Sequence, residues 1–270
     1  MDGAMTSPTW TLDQQYARLQ LDRVSARLAL GHPDRGLFDL GLAAWELAGA
    51  QLLGLDFPSS AEGEIRNPLE CYQRGRDLIA AYPESASWPV RVDILWRAVS
   101  PARIPGVLFG VDVIVSVRTA LLDSWPELAV QSRLPATQVL RLTGVETARF
   151  EPCDGGSCPQ LVLEAGGGPC CLVFRIPEAP FSYAEMTPPA DFQGACVVPL
   201  SEKCEKTKES GKPENPAIVE VRHRLFAERL EKGVILRARA RGVVVDRTED
   251  LRSVYACFSA FAAADPPLGT

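Results

Sequence analysis

One stretch limits the fold more than any other. Between residues 88 and 99 (WPVRVDILWRAV), Val90, Val92, Ile94, Trp96 and Ala98 fall on one face, and Arg91, Asp93 and Arg97 fall on the other. A period of two is the signature of a half-buried strand and does not suit a helix. Residues 107–121 repeat it, with Val111, Val113, Val115 and Val117 opposite Asp112, Ser116 and Arg118. The Trp-Pro turn LDSWPE then leads into LAVQSRL, which predicts a hairpin of two long strands. Residues 71–82 are expected to pair with 88–99. Shorter strands are predicted at 139–142, 160–164 and 170–176, between glycine-rich turns.

The remaining segments are less regular. GHPDRG is turn chemistry, so a hairpin of roughly 18–30 with 36–48 is expected. The apolar run from Leu37 to Leu55 also suits a buried helix, and periodicity does not decide between the two. Residues 58–68 read as a loop. Residues 177–195 hold Pro177, Pro180, Pro188 and Pro189 and read as irregular.

The C-terminal segment, 217–262, reads as strand, tight turn, strand and helix. Val219, Val221, His223, Leu225 and Ala227 alternate with Glu220, Arg222, Arg224 and Glu228. Glu231-Lys232-Gly233 supplies a turn. On the return strand Arg237, Arg239 and Arg241 share a face, and in a hairpin Glu220, Glu228 and Glu231 are their expected cross-strand partners. Leu251, Val254, Tyr255, Phe258 and Phe261 form the apolar stripe of a helix that lies on a sheet. Asp246 or Thr248 can cap it.

The chain has 270 residues, 46% of them hydrophobic, enough for a sizeable core. One β domain over 1–270 is expected, with a loose N-terminus at 1–15 and a charged loop at 199–216. A net charge of -6 argues against general nucleic-acid binding. No run of 18 apolar residues marks a membrane span. No charged-then-apolar leader is visible, so a cytoplasmic location with reduced cysteines is expected. Walker, GxGxxG, GxSxG, HExxH and EF-hand patterns are lacking, and no cofactor is implied.

Three constellations carry chemistry. Cys153, Cys158, Cys170 and Cys171 are candidate zinc thiolates, although the spacing of Cys153 and Cys158 is wide and vicinal cysteines seldom share one metal. The plainer reading is small buried side chains. A disulfide across CDGGSC is a further option. His223 is the one candidate catalytic residue, a general base; its plainer reading is a satisfied histidine at a sheet end. Arg74, Asp77, Asp93, Trp96 and His223 form the candidate ligand site, a polar sheet face with an aromatic beside it.

CYQRGRDLIAAYP, WPVRVDILWR, LLDSWPEL, GVILRARARG and FSAFAAADPPL together resemble an uncharacterised bacterial family. The order of long antiparallel strands also resembles the supersandwich of galactose-mutarotase-like, sugar-binding proteins. The fold expected is therefore mainly β: a large antiparallel β-sandwich with a C-terminal α-helix packed on a sheet. Three functions follow. The first is a ligand-binding sandwich for a small molecule such as a carbohydrate. The second is a sugar epimerase or lyase with His223 as base. The third is a structural or assembly module using exposed strand edges. Fold-level likeness carries no catalytic residue with it.

Overall fold

A computed structural model describes residues 9–21, 23–58, 65–85, 88–99, 104–153, 161–166, 168–200 and 218–265. Two antiparallel sheets face each other. Across the first run β1 (Thr9–Leu12), β2 (Tyr16–Leu21), β3 (Val24–Ala29), β4 (Leu37–Leu42), β6 (Gln51–Asp56), β11 (Ala129–Pro135), β18 (Ile218–Arg224), β17 (Gly194–Leu200) and β14 (Leu161–Glu164). β5 (Trp45–Leu47) pairs with β4 off this path. Across the second run β13 (Arg149–Pro152), β12 (Gln138–Gly144), β15 (Cys170–Arg175), β16 (Phe181–Thr187), β19 (Leu236–Asp246), β10 (Val107–Thr119), β9 (Val90–Val99), β8 (Asp77–Tyr82) and β7 (Glu70–Arg74). The helix α1 (Asp250–Ala262) follows β19.

The period-two runs build the interior. Val90, Val92, Ile94, Trp96 and Ala98 of β9 and Val111, Val113, Val115 and Val117 of β10 are fully buried in the main core. Leu28, Leu37, Leu40, Leu52, Leu55, Val130 and Val221 meet them from the first sheet. The outer face of the second sheet has a core of its own. There Val254, Cys257, Phe258 and Phe261 of α1 lie on Val243, Val245, Met186, Ala184, Cys171 and Val173. Each such aliphatic or aromatic side chain contributes about 1.5–3 kcal/mol through the water it sheds.

Several expected pairings are replaced. β18 and β19 do not form a hairpin: β18 pairs with β11 and β17, and β19 pairs with β10 and β16. The turn between them carries the chain from one sheet to the other. The segments 107–121 and 128–134 are likewise split, because β10 lies in the second sheet and β11 in the first. β10 pairs instead with β9, Val113 opposite Trp96.

Other segments are subdivided. Residues 71–82 split into β7 and β8, joined at Gly75-Arg76, and β8 pairs with β9 as expected. Residues 18–30 fold as the hairpin of β2 and β3, and β3 then pairs with β4. The run from Leu37 to Leu55 is three strands and no helix, interrupted where Ala43 takes a φ of 54°.

At the N-terminus, β1 pairs with β2, and buried Trp10 donates its indole N–H to the Arg76 carbonyl at 3.1 Å, so residues 9–12 are not loose. Residues 1–8 and most of the charged 199–216 loop lie outside the described residues. The proline-bounded stretch 177–195, read as irregular, contains β16, all seven residues of which are buried.

Phe258→Ala tests the second core. Equilibrium denaturation is expected to show a loss of about 3–5 kcal/mol, the usual cost of emptying a buried phenylalanine site. A loss below about 1 kcal/mol would show that α1 is not sealed to the sheet.

Candidate functional site

β16 and β18 meet across the interior through polar groups. β16 turns Tyr183 and Glu185 toward the first sheet, and β18 turns His223 toward the second. His223 donates from Nε2 to Glu185 Oε2 at 2.8 Å. Its Nδ1 lies 3.3 Å from Cys170 Sγ, on β15. The other carboxylate oxygen, Glu185 Oε1, accepts from the Tyr183 hydroxyl at 2.7 Å and from the Ser132 hydroxyl of β11. Ser132 Oγ in turn accepts from the Leu53 backbone N–H at 2.7 Å.

Local backbone features make room for this network. Leu53 has a φ of 58°, and the pairing of β6 with β11 shifts register between Gln131 and Arg133. A bulky residue in the left-handed region costs energy, and such irregularities re-aim backbone groups. Gly242 lies opposite Glu185 on β19. A Cβ there would come within 2.4 Å of the Tyr183 hydroxyl, so the glycine leaves space for the phenol.

Burial opposes charging His223, but the Cys170 sulfur and the Glu185 carboxylate at its two nitrogens outweigh this and raise it to about 10. The imidazolium therefore donates from both nitrogens to these two partners. Burial, then the Glu185 charge, hold the Tyr183 phenol well above its ordinary value, so it stays a donor. Breaking a buried ion pair by removing one partner leaves a charge without compensation.

Cys170, His223 and Glu185 stand in the order of a nucleophile, a base and an orienting acid. All three are 0% exposed. A general base must come within hydrogen-bond reach of the proton it takes. Among the described residues, His223 meets Cys170 and Glu185 in the interior, and the contact bridges the two sheets.

The other expected residues do not converge on one site. Arg74, Asp77 and Asp93 lie on the outer face of the second sheet, whereas Trp96 is 0% exposed in the main core and His223 is in the sandwich interior. On that outer face, Arg74, Asp77, Arg97, Asp112 and Arg241 alternate in sign across β7, β8, β9, β10 and β19. Arg97 grips Asp77 with two bonds of 2.8 Å, and Arg241 grips Asp112 at 2.6 and 2.9 Å. Arg239 pairs with Asp191 at 2.9 Å, and Arg237 donates to Ser116 at 3.0 Å. The expected partner Glu220 lies on β18 in the other sheet, where it pairs with Arg133, and Arg239 and Arg241 take Asp191 and Asp112 in place of the expected glutamates.

The cysteines are similarly dispersed. Cys170 points into the main core and its neighbour Cys171 into the core under α1, as successive strand residues must. They cannot face one zinc ion. Cys153 packs against the main core, and Cys158, its partner in the disulfide option across CDGGSC, lies outside the described residues.

An open cleft of about 710 Å³ lies on the outer face of the first sheet, behind the buried bridge. Its floor is set by strand register. Asp56, Ala129 and Arg224 are neighbours across β6, β11 and β18, and Gly194 and Glu164 continue the row on β17 and β14. Arg224 therefore stands between two positions with almost no side chain. Gly194 has a φ of 137°, and a Cβ on it would press on the Leu163 carbonyl at 3.2 Å. Arg222 is neutralised by Asp56. Trp125, 54% exposed, and Glu127 line the cleft beside buried Leu128 and Phe226. No sequence pattern singled out this site. Its floor becomes visible only when the register brings β6, β11, β18, β17 and β14 together.

Solved structures share this fold. A proposed aldose 1-epimerase from Klebsiella pneumoniae has 8% identity and a TM-score of 0.55, over 94% of this chain and 87% of its own. A proposed mutarotase from Salmonella typhimurium has 11% identity and a TM-score of 0.53, over 90% and 98%. The GalM/aldose epimerase homologue of C. elegans has 9% identity and a TM-score of 0.51, over 89% and 99%. The chain thus has the galactose-mutarotase-like supersandwich fold, and at these identities the likeness is one of fold alone. No protein-family model and no curated protein matches the sequence. Among the described residues, no helix is long and apolar enough to cross a membrane.

The buried bridge has two measurable consequences. His223→Leu leaves the Glu185 carboxylate unpaired and is expected to cost about 3–5 kcal/mol, whereas adding Glu185→Leu is expected to recover a large part of it. Additive losses in this double-mutant cycle would show that the two residues are not coupled. The second concerns pH. The folded chain keeps the His223 proton after the unfolded chain, at an ordinary 6.5, has released it. Its stabilisation is complete below that value and declines as pH rises toward 10. Denaturation midpoints across this window are expected to fall more steeply for the native protein than for His223→Leu.

Proposed function

We propose that this protein is a carbohydrate-binding β-sandwich whose ligand sits in the cleft on the outer face of the first sheet. The observation that carries this reading is the cleft itself, whose lining includes the exposed Trp125 together with Arg224, Glu127 and Glu164. A sugar ring has an apolar face that stacks on an indole and a rim of hydroxyls that bond to carboxylates and guanidinium groups. The volume is in the range of small-molecule sites. The supersandwich fold shared with proteins described as sugar epimerases and mutarotases supports the same ligand class. The cleft contains no histidine, so the reading is of binding, not of epimerisation through His223.

Calorimetric titration with monosaccharides tests it, using the native protein and Trp125→Ala. Millimolar or tighter binding is expected, weakened about tenfold or more by loss of the ring. No heat with any sugar, or equal binding by the variant, would sink the assignment of this cleft.

A further inference from the structure

Resting on that reading, we infer that the sugar is acidic, a uronate whose carboxylate seats on Arg224. Two arginines enter the cleft, and they are not equivalent. Arg222 already holds Asp56. Arg224, the next outward residue on the strand, has no ion pair among the described residues. Its partner on β11 is the small Ala129, and on β17 the residue next to Ala195, which pairs with His223, is Gly194, so neither side offers a competing partner or a wall.

A planar guanidinium with its fork unused is matched by a carboxylate, which accepts two parallel N–H bonds. The acids at the cleft, Glu127 and Glu164, suit the rest of such a ligand. They accept hydrogen bonds from ring hydroxyls, which a bare anion lacks. The site therefore selects a molecule with one carboxylate, several hydroxyls and an apolar ring face for Trp125. A simple inorganic anion would meet the two glutamates and gain nothing from the ring.

The experiment compares D-glucuronate and D-galacturonate with D-glucose and D-galactose by titration calorimetry, on native protein and on Arg224→Gln. A uronate is expected to bind at least tenfold more tightly than its neutral counterpart. Arg224→Gln is expected to remove that preference, lowering uronate affinity at least tenfold more than neutral-sugar affinity, while leaving thermal melting unchanged. Arg224→Lys, which keeps the charge but not the fork, should retain only part of the preference. Equal affinity for neutral and acidic sugars, or a preference that survives Arg224→Gln, would overturn this inference and leave carbohydrate binding intact. Absence of binding by all four sugars would remove both.

Discussion

The contact between Glu185 and His223 joins the two halves of the molecule. A β-sandwich is normally held by apolar interdigitation, which sets the spacing of its sheets but is tolerant of sliding. Here a directed ion pair with three further polar partners crosses that space. Ser132 ties it to β11 and, through Leu53, to β6; Tyr183 and Cys170 tie it to β16 and β15. The central strands of both sheets are thereby locked at one point. A buried pair of this kind adds little net stability compared with apolar residues of the same shape, yet it penalises any register that separates its members. Its use here is to specify alignment.

That alignment reaches the cleft because strands have two faces. His223 points inward from β18, while Arg222 and Arg224 on either side of it point outward. The same backbone that the interior holds in place presents the guanidinium groups to solvent. Ser132 does the same for β11, whose Ala129 lies outward. The cleft floor thus inherits its geometry from buried groups that do not line it.

The alternation of β9, β10, β18 and β19 was legible, and with it the fold class and the stripe of α1. Partners were not. Two strands that face each other across a sandwich show the same alternation as two strands in a hairpin, because both turn apolar residues to one interior. The pattern reports a face and is silent about the neighbour, so β18 with β19 and β10 with β11 both read as hairpins. Glu185 was hidden for a different reason. The prolines of 177–195 suppress a strand assignment, but they lie outside β16 and bound it without interrupting it. The acid that completes the His223 site therefore sat in a segment read as irregular. Nor could spacing connect residues 185 and 223, since their proximity depends on the packing of one sheet on the other.

The vicinal cysteines have a further use as internal reporters. Cys170 and Cys171 are adjacent in sequence but belong to separate cores, and Cys257 shares the second with Cys171. A thiol reagent reaches Cys171 and Cys257 when α1 lifts from the sheet, whereas Cys170 becomes reachable only when the sheets part. Proteins open in cooperative units of different free energy. In this chain the rates of alkylation at two neighbouring sulfurs would separate helix detachment from opening of the sandwich, without any residue being introduced for the purpose.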